Sequence, residues 1–388
     1  MSLLPKPVAL TAAAARSACG DSLRAQVEHI SAGRSGLQPL GEWLGAASPW
    51  AALRGGWLRD RTPLAGRRYG AASNLAVTVA REAVEAAEWT EPQRSGAWVF
   101  AGSSRGNVAE LLGERYGRRP VKRFAASNSM HSEIAAAVSI ELGLRGGWHV
   151  FSNGCSSGLD AAGMAAMAVA SGMAPRALVV SVDLPLLPAL LSDFAATGLL
   201  SVDGVNDPYS ERTSGFLPGE GSAALTIEPA REGAPLLTGC WWNADAYDSI
   251  GLPDDGAPVR ELLTAALEAS GRPSRVAICP HASGTRAHGM AERAALDAAL
   301  RSLPSEATVH LLKPFTGHSL GASGALDLAI LHAFLLRGTL PPNLPGLTAG
   351  APSFSLPSAP VAARGALVVK ISVSMGGPNC LLTLQPPS

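Results

Sequence analysis

Three residues of this chain have side chains suited to nucleophilic and proton-transfer chemistry, and each lies in a turn of small residues. Cys155 follows the apolar run 149–151 and precedes the Ala- and Met-rich segment 159–172, which has a helical composition. A thiol at a helix N-terminus lies near unpaired N–H groups and the positive end of the helix dipole, which lower its pKa. Cys155 is therefore a candidate nucleophile, and the alternative is a structural cysteine, the more common role of a lone Cys between Gly and Ser. His281 and His318 occupy similar turns further along.

The composition limits the class of protein. The chain has 388 residues, of which 47% are apolar and 16% are charged, and its formal net charge is zero. These values predict a folded protein of two domains or one duplicated domain, and argue against general nucleic-acid binding. Five cysteines without a CxxC pair predict a reducing compartment, with neither a disulfide framework nor a zinc site. They are Cys19, Cys155, Cys240, Cys279 and Cys380.

Targeting and cofactor signals are weak. The apolar run after Lys6 is short and is broken by Arg16, so we interpret it as an opening β-strand and not a signal peptide. Because no run of about 18 strongly apolar residues occurs, we expect no membrane span and a cytoplasmic location. No phosphate loop or dinucleotide-binding fingerprint follows a strand, which argues against a nucleotide cofactor. No metal site is expected, since the other histidines lack ligand spacing.

Apolar runs alternate with Ala- and Leu-rich runs, a pattern typical of an α/β fold with buried strands. Two sets of candidate strands follow one another along the chain. The first set is 97–101, 149–151, 177–181 and 223–227, and the second is 276–279, 308–312, 366–370 and 381–384.

The two sets correspond in order, which predicts an internal duplication with halves 1–232 and 233–388. The alternative is that strands of any α/β protein look alike. If the duplication holds, Cys155 and His318 begin equivalent helices. The C-terminal ends of the strands would then bring both of them close to His281.

Three ordered motifs contain these residues: Cys155-Ser-Ser-Gly158, His281-Ala-Ser-Gly-Thr285, and Lys313 followed by Gly317-His-Ser-Leu-Gly-Ala322. Together they resemble the β-ketoacyl synthase family of the thiolase superfamily. Two weaker motifs, 212–221 and 375–379, fall in the family's order, so the resemblance covers nearly the whole chain. It implies a duplicated thiolase-like α/β fold, in which two mixed sheets are sandwiched with helices in αβαβα layers.

The resemblance also implies an activity. A β-ketoacyl synthase is an acyltransferase that holds an acyl chain on its cysteine, here Cys155, and condenses it with malonyl-acyl carrier protein with loss of CO2. The N–H groups of His281 and His318 would stabilise the enolate oxygen that decarboxylation creates. Lys313 would position His318 or support it electrostatically. The substrates arrive on the phosphopantetheine of the carrier protein, so the enzyme needs no cofactor of its own.

Further roles follow from the resemblance. The backbone N–H groups of Cys155 and Met375 would form the oxyanion hole, and Ser283 and Thr285 would hold the pantetheine arm. Met375 would also contact the acyl chain, and Glu292 would support the site structurally. The family's aromatic gate is replaced here by the flexible Met375, which suggests a different acyl shape and puts the usual gating in doubt.

Other departures leave alternatives open. The polar segment 127–133 either lines the acyl pocket at a dimer interface or faces solvent, and Gly289 stands where the family often has Asp. An isologous homodimer is the default, and a heterodimer with a related subunit is the alternative. A basic run could dock an acidic carrier protein or form a solvated face. Its residues are Arg115, Arg118, Arg119, Lys122 and Arg123.

Rival functions depend on other residues. A non-catalytic chain-length partner would lack the nucleophile, whereas this chain keeps Cys155. A serine hydrolase would use Ser156 in Gly154-Cys-Ser-Ser-Gly158, with Asp327 and His332 as partners. A thiolase would need a second cysteine, for which Cys380 is the candidate. Acyl transfer without decarboxylation also stays open, as do the acyl chain and the choice between fatty acid and polyketide, although the altered gate favours specialised metabolism.

Overall fold

The computed structural model describes residues 2–112, 125–201, 203–301, 306–348 and 351–387. The basic run between Arg115 and Arg123 lies outside them. The apolar runs form strands as the alternation predicts. In the first part of the chain these are β1 (Ser2–Ser17), β2 (Gln38–Pro39), β3 (Arg54–Gly55), β4 (Trp98–Gly102), β5 (Trp148–Phe151), β6 (Ala177–Asp183) and β7 (Gly221–Pro229).

The second part of the chain repeats this pattern. Its strands are β8 (Leu236–Ala244), β9 (Arg275–Cys279), β10 (Glu306–Val309), β11 (Thr339–Leu340), β12 (Val361–Ala362), β13 (Leu367–Val373) and β14 (Pro378–Gln385). The strand expected over 308–312 ends at Val309, and the chain then turns towards the site.

Helices fill the intervals between the strands. In the first part they are α1 (Leu23–Ser31), α2 (Gly41–Leu44), α3 (Ala71–Ala86), α4 (Glu91–Ser95), α5 (Val108–Leu112), α6 (Ala125–Asn128), α7 (Glu133–Leu142), α8 (Ser157–Ala170) and α9 (Pro188–Ala196). In the second they are α10 (Ala257–Ala269), α11 (Arg286–Arg301), α12 (Lys313–Thr316) and α13 (Ser323–Leu335).

Local chemistry sets several helix ends. The side chain of Ser22 accepts the N–H of Ala25 and so caps the start of α1. At the end of α7, Gly143 adopts φ 68°, the left-handed conformation that glycine reaches at little cost. None of the described helices is long and apolar enough to cross a membrane.

The two parts of the chain build sheets of the same order. Within the described residues the first is β1-β7-β6-β4-β5 and the second is β8-β14-β13-β9-β10. In each, three strands run parallel and the other two pair antiparallel, so both sheets are mixed as expected. β1 also pairs with β8, which joins the sheets into one continuous set of ten strands. The exact domain boundary after residue 232 stays a prediction and falls between β7 and β8.

The helices complete a layered architecture. α8 and α13 contact each other and strands of both sheets, and thus form a central layer. α3 and α7 cover the outer face of the first sheet, while α10, with α11 against it, covers the second. The predicted αβαβα layering is therefore confirmed. The central layer is rich in Ala because two close-packed helices leave little room between the sheets.

The turns that lead into the central helices correct one detail of the expected symmetry. A short 3₁₀ turn, Gly154–Ser156, precedes α8, and an equivalent turn, Leu320–Ala322, precedes α13. Gly321 therefore occupies the position of Cys155, and His318 lies three residues earlier. The expectation that Cys155 and His318 begin equivalent helices was wrong, because the histidine is contributed by the segment that enters the turn.

Candidate active site

The turn before α8 presents Cys155 to a pocket. Gly154 adopts φ 72°, and a Cβ there would lie 2.0 Å from the Oγ of Ser374, so a larger residue is excluded. The backbone N–H of Cys155 donates to that same hydroxyl at 2.8 Å. The proposed oxyanion donor is thus occupied in the resting protein by a hydroxyl from the second half.

The two predicted histidines meet Cys155 in space. The Sγ of Cys155 and one ring nitrogen each of His281 and His318 lie within 4.8 Å of one another. The two imidazole rings are 5.1 Å apart between centroids and nearly perpendicular, at 83°. Residues separated by 163 positions therefore form one cluster, as the strand-end argument expects.

Backbone and side-chain contacts fix His318. Its Nδ1 lies 3.0 Å from the Oγ of Ser323 at the start of α13. Its backbone N–H donates to the carbonyl of Leu217 at 2.8 Å, inside the motif 212–221. Phe216 from the same motif packs edge-on against the His318 ring. The weak motif thus holds the histidine in place.

Glu292 supports the other histidine. Its two carboxylate oxygens accept the backbone N–H groups of His281 and Ala282, each at 2.8 Å. These bonds hold Ala282 at φ 45°, a left-handed conformation that costs a non-glycine residue roughly 1–2 kcal/mol. Burial acts to raise the pKa of Glu292, but His288 and the two N–H donors outweigh it and bring the pKa below its usual range.

Lys313, the lysine predicted from the sequence, contacts the backbone of His281. The ammonium of Lys313 donates to the backbone carbonyl of His281 and lies 3.7 Å from the carboxylate of Asp327. Its effect on His318 is electrostatic: after burial, the positive charge of Lys313 is the next cause that lowers the pKa of that histidine. Lys313 therefore hydrogen-bonds the backbone of His281 and acts on the His318 imidazole through its positive charge.

Burial sets the protonation states at the site. It raises the pKa of the Cys155 thiol to about 12, against an opposing effect of Lys313. This differs from the expectation of a lowered thiol pKa, because the loss of solvation outweighs the charges nearby. Burial also brings the pKa values of His281 and His318 well below 6.5, so both imidazoles are neutral at pH 7. The resting cluster is a thiol beside two neutral imidazoles.

The pocket around Cys155 encloses about 580 Å³, including its mouth. Ser283 and Thr285 line it, with their hydroxyl oxygens 3.2 Å apart, and Met375 lies on its wall, 37% exposed. Apolar side chains make up much of the remaining wall. They are Phe194, Leu199, Phe216, Ile250, Leu252 and Leu320. Every predicted substrate-binding residue therefore reaches the cavity, and the flexible Met375 is where the gate was expected.

Sequence reasoning missed two polar residues of the pocket. His288 packs edge-on against His281 and has its Nε2 3.5 Å from Glu292. Its position one turn before Glu292 on α11 is the sequence signal that could have identified it. The hydroxyl of Ser374, described above, is the other. Gly289 also gains an explanation, since a Cβ there would lie 1.9 Å from the carbonyl oxygen of Pro208.

Two rival sites do not assemble among the described residues. Ser156 is fully buried and its hydroxyl lies 2.8 Å from a carboxylate oxygen of Asp160, so a serine hydrolase nucleophile is absent there. Asp327 pairs with Lys370 at 2.7 Å instead of supporting His332. Cys380 is fully buried in β14 and does not line the pocket, which removes the candidate second cysteine of a thiolase.

The polar segment 127–133 lies away from the cavity. The carboxylate of Glu133 is buried against the hydroxyl of Ser73 and the side-chain amide of Asn107. The amide of Asn128 donates to the carbonyl of Arg68 at 3.3 Å. In the described parts of the chain, no residue of this segment lines the pocket around Cys155. Asn128 and Glu133 therefore make hydrogen bonds within the first half, whereas Ser127, Met130 and His131 are exposed, as the solvent-facing alternative expects for part of the segment.

The cluster of one sulfur and two nitrogens could in principle bind a soft or borderline metal ion. Thiolate and imidazole are ligands that Zn²⁺ accepts, and the three atoms are close enough to share one ion. A structural zinc site would have a fourth protein ligand, and this cluster has three. The absence of a functional metal stays a prediction.

Comparisons with known proteins agree with the motifs. Residues 61–233 match the family model for the β-ketoacyl synthase N-terminal domain, and residues 236–346 match that for the C-terminal domain. The ketoacyl synthase alpha subunit of the tetracenomycin polyketide synthase from Streptomyces glaucescens is 28% identical over 373 residues, covering 87% of each chain. The actinorhodin polyketide putative β-ketoacyl synthase 1 of Streptomyces coelicolor is 29% identical over 328 residues, covering 76% of this chain and 69% of the relative.

Solved structures share the fold. One is a type II polyketide synthase acyl-carrier protein in complex with its ketosynthase bound to the hexaketide. It superposes with a TM-score of 0.82 at 22% identity, covering 98% of this chain and 99% of that one. A ketosynthase from module 6 of the bacillaene synthase of Bacillus subtilis 168 gives a TM-score of 0.81 at 18% identity, covering 99% of this chain and 72% of that one. With two family models matched in order across most of its length, the chain belongs to the β-ketoacyl synthase family.

Proposed function

We propose that this protein is a decarboxylating β-ketoacyl synthase, an acyltransferase of the 3-oxoacyl-[acyl-carrier-protein] synthase type that works in polyketide biosynthesis. The observation that carries the proposal is the cluster of the Cys155 thiol with two neutral imidazoles at the wall of an apolar pocket. The curated relatives cited above are polyketide synthase ketosynthases, which favours a polyketide over a fatty acid.

The first step loads the acyl chain. The Sγ of Cys155 attacks the carbonyl carbon of an acyl thioester, and the C–S bond to pantetheine breaks. Because the pKa of the resting thiol is about 12, its proton must leave during the attack. A nearby imidazole accepts the proton and passes it to the departing pantetheine thiol. The backbone N–H groups of Cys155 and Met375 stabilise the tetrahedral oxyanion.

The second step creates the carbon nucleophile. The bond between the malonyl carboxylate and its methylene carbon breaks, CO2 leaves, and the electron pair becomes an enolate. N–H groups of neutral His281 and His318 donate to the enolate oxygen, a role for which a low imidazole pKa is suited. The enolate carbon then attacks the Cys155 thioester. A new C–C bond forms, the C–S bond breaks, and the Cys155 sulfur leaves as a thiolate that takes up one proton from solvent.

Carrier protein and partner follow from the same proposal. The structurally similar complex contains an acyl-carrier protein with its ketosynthase, and we propose that an acyl-carrier protein delivers both substrates here through phosphopantetheine, held by Ser283 and Thr285. No further cofactor enters the scheme. The protein would act as a dimer in the cytoplasm, either with a second copy or with a related subunit.

Intact-mass analysis tests the proposal. Wild type and Cys155→Ala are incubated with acyl- and malonyl-carrier protein while CO2 release is followed. We expect an acyl adduct that disappears in Cys155→Ala, and malonyl decarboxylation by wild type. Loading without decarboxylation would identify an acyltransferase that does not condense. No adduct and no decarboxylation from any donor would contradict the catalytic proposal and favour a chain-length partner.

A further inference from the structure

Two of the four lysines in the chain are buried together below the active site. The chain contains Lys6, Lys122, Lys313 and Lys370. Lys370 lies in β13 and is fully buried, and its ammonium is 2.7 Å from a carboxylate oxygen of Asp327. Lys313 approaches the same oxygen at 3.7 Å. One carboxylate therefore faces two buried ammonium groups, and Lys370 is the nearer.

The two lysines hold consecutive carbonyl groups. The ammonium of Lys370 donates to the carbonyl of Pro280 at 3.1 Å and to that of Ile371 at 2.9 Å. The ammonium of Lys313 donates to the carbonyl of His281, the next residue after Pro280. Glu292 holds the N–H of His281 from the other side. The segment carrying the catalytic imidazole is thus fixed through its backbone at three neighbouring points.

The charges in this network compete with one another. A buried carboxylate attracts the nearest ammonium strongly because little solvent screens the pair. While Lys370 occupies Asp327, the Lys313 ammonium remains on the His281 carbonyl. Burial acts to lower the pKa of Lys370, but Asp327 outweighs it and holds this pKa above its usual value, whereas burial lowers the pKa of Lys313. Lys370 is therefore the nearer ammonium to Asp327, and the one whose positive charge that carboxylate stabilises.

We propose that Lys370 is a positioning residue for decarboxylation: by occupying Asp327 it leaves Lys313 on the His281 carbonyl and so fixes the direction of the His281 imidazole. The proposal rests on the function proposed above. Without Lys370, Lys313 moves to Asp327 and releases His281. None of the hydrogen bonds of this network reaches the Cys155 thiol, and Lys313 acts on that thiol only through its charge, so acyl loading should depend on the network less than decarboxylation does.

The test compares Lys370→Met, which keeps the length of the side chain without its charge, with Lys6→Met, the same change at an exposed lysine. Acyl loading of Cys155 and malonyl decarboxylation are measured separately, with thermal unfolding of each variant as a check of folding. We expect Lys370→Met to lower the kcat of decarboxylation about 10–100-fold, the scale of a small misplacement of a reacting group. Loading should fall less than about fivefold, since the turn that carries Cys155 is kept and only the distance to the Lys313 charge changes. Lys6→Met should match wild type in both.

A second variant separates positioning from simple stabilisation. In Lys370→Met/Asp327→Asn the carboxylate that would attract Lys313 is removed, so decarboxylation should recover to within about threefold of wild type. The proposal is overturned if the double variant is as slow as Lys370→Met or slower, or if loading and decarboxylation fall together with the folded fraction. Equal decarboxylation by Lys370→Met and wild type would overturn it as well. A wild type that does not decarboxylate would instead contradict the proposed function itself.

Discussion

Two equivalent 3₁₀ turns, one carrying Cys155 and one preceding α13, have different roles. In the first half a cysteine follows Gly154, which adopts φ 72°, and its side chain reaches the pocket. In the second half Gly321 follows Leu320, which adopts φ 46°. A Cβ on Gly321 would lie 2.5 Å from the backbone nitrogen of Ser104, so the second turn packs against the first half. One copy presents the Cys155 thiol to the pocket, and the other packs against the first half.

The residues of the candidate active site are also divided between the two halves of the chain. The first half supplies the thiol, whereas both site histidines, Lys313 and Glu292 come from the second half. The distribution of buried histidines follows this division. His29, His131 and His149 in the first half are not buried, and the five histidines of the second half are buried. Under the proposed function, the first half supplies the thiol that is loaded, and the second half supplies the imidazoles that decarboxylation requires.

Removing one imidazole is the most direct way to separate the contributions of the two halves to loading and to decarboxylation. We expect His281→Ala or His318→Ala to lower malonyl decarboxylation by about 100–1000-fold, the usual effect of losing one oxyanion donor. Cys155 should still accept an acyl chain, at a reduced rate if that imidazole also carries the thiol proton. Separate assays of CO2 release and intact mass measure the two steps. Unchanged decarboxylation in both variants would contradict the division of roles.

A methyl group added at Gly321 should disrupt the packing of this turn against the first half. Gly321→Ala places a Cβ against Ser104, Asp183 and the carbonyl of Gly154, so we expect a loss of about 3 kcal/mol in the free energy of unfolding. Gly96→Ala is the matched control, because its nearest neighbour is 3.7 Å away and its φ is −84°. Denaturant unfolding of both variants measures the difference. Equal stability of the two would show that the turns do not pack as described.

Acid should destabilise the protein through the second half. Burial lowers the pKa values of His310 and His332 to about 4, below the unfolded value of 6.5. The unfolded state therefore binds more protons between pH 6.5 and 4, and stability is lost as pH falls through that window. Each histidine contributes up to about 3 kcal/mol of this loss. Denaturant unfolding as a function of pH should show a slope that His332→Leu reduces; an unchanged slope would contradict burial of a neutral imidazole.

The smallest expected effect concerns the hydroxyl that links the halves at the nucleophile. Ser374→Ala removes the acceptor for the Cys155 N–H and should cost about 1 kcal/mol of stability, the net value of one hydrogen bond. The freed N–H can then donate to the acyl oxygen, so the rate of Cys155 acylation should rise severalfold. Rapid-quench mass analysis measures that rate. A tenfold or larger fall would mean that the Ser374 hydroxyl itself stabilises the oxyanion.

Much of this arrangement could be predicted from the sequence. The positions of most strands follow from local apolar runs, whereas the set Cys155, His281 and His318 was identified through the resemblance of its motifs to the β-ketoacyl synthase family. The thiol pKa could not be predicted, because burial is a tertiary property that outweighs the helix dipole. Lys370 and Asp327 lie in an apolar strand and an apolar helix, and nothing in either pattern indicates their pairing. His288 could have been identified from its position four residues before Glu292, because residues i and i+4 lie on the same face of a helix.

Peptide mapping after acyl loading tests the central claim most directly. The protein is incubated with acyl-carrier protein and digested. The peptides that contain its five cysteines are then compared by mass spectrometry. The account predicts a thioester adduct on Cys155 alone, since Cys19, Cys240, Cys279 and Cys380 are buried and do not line the pocket. An adduct on any other cysteine, or on none, would contradict the assignment of Cys155 as the nucleophile.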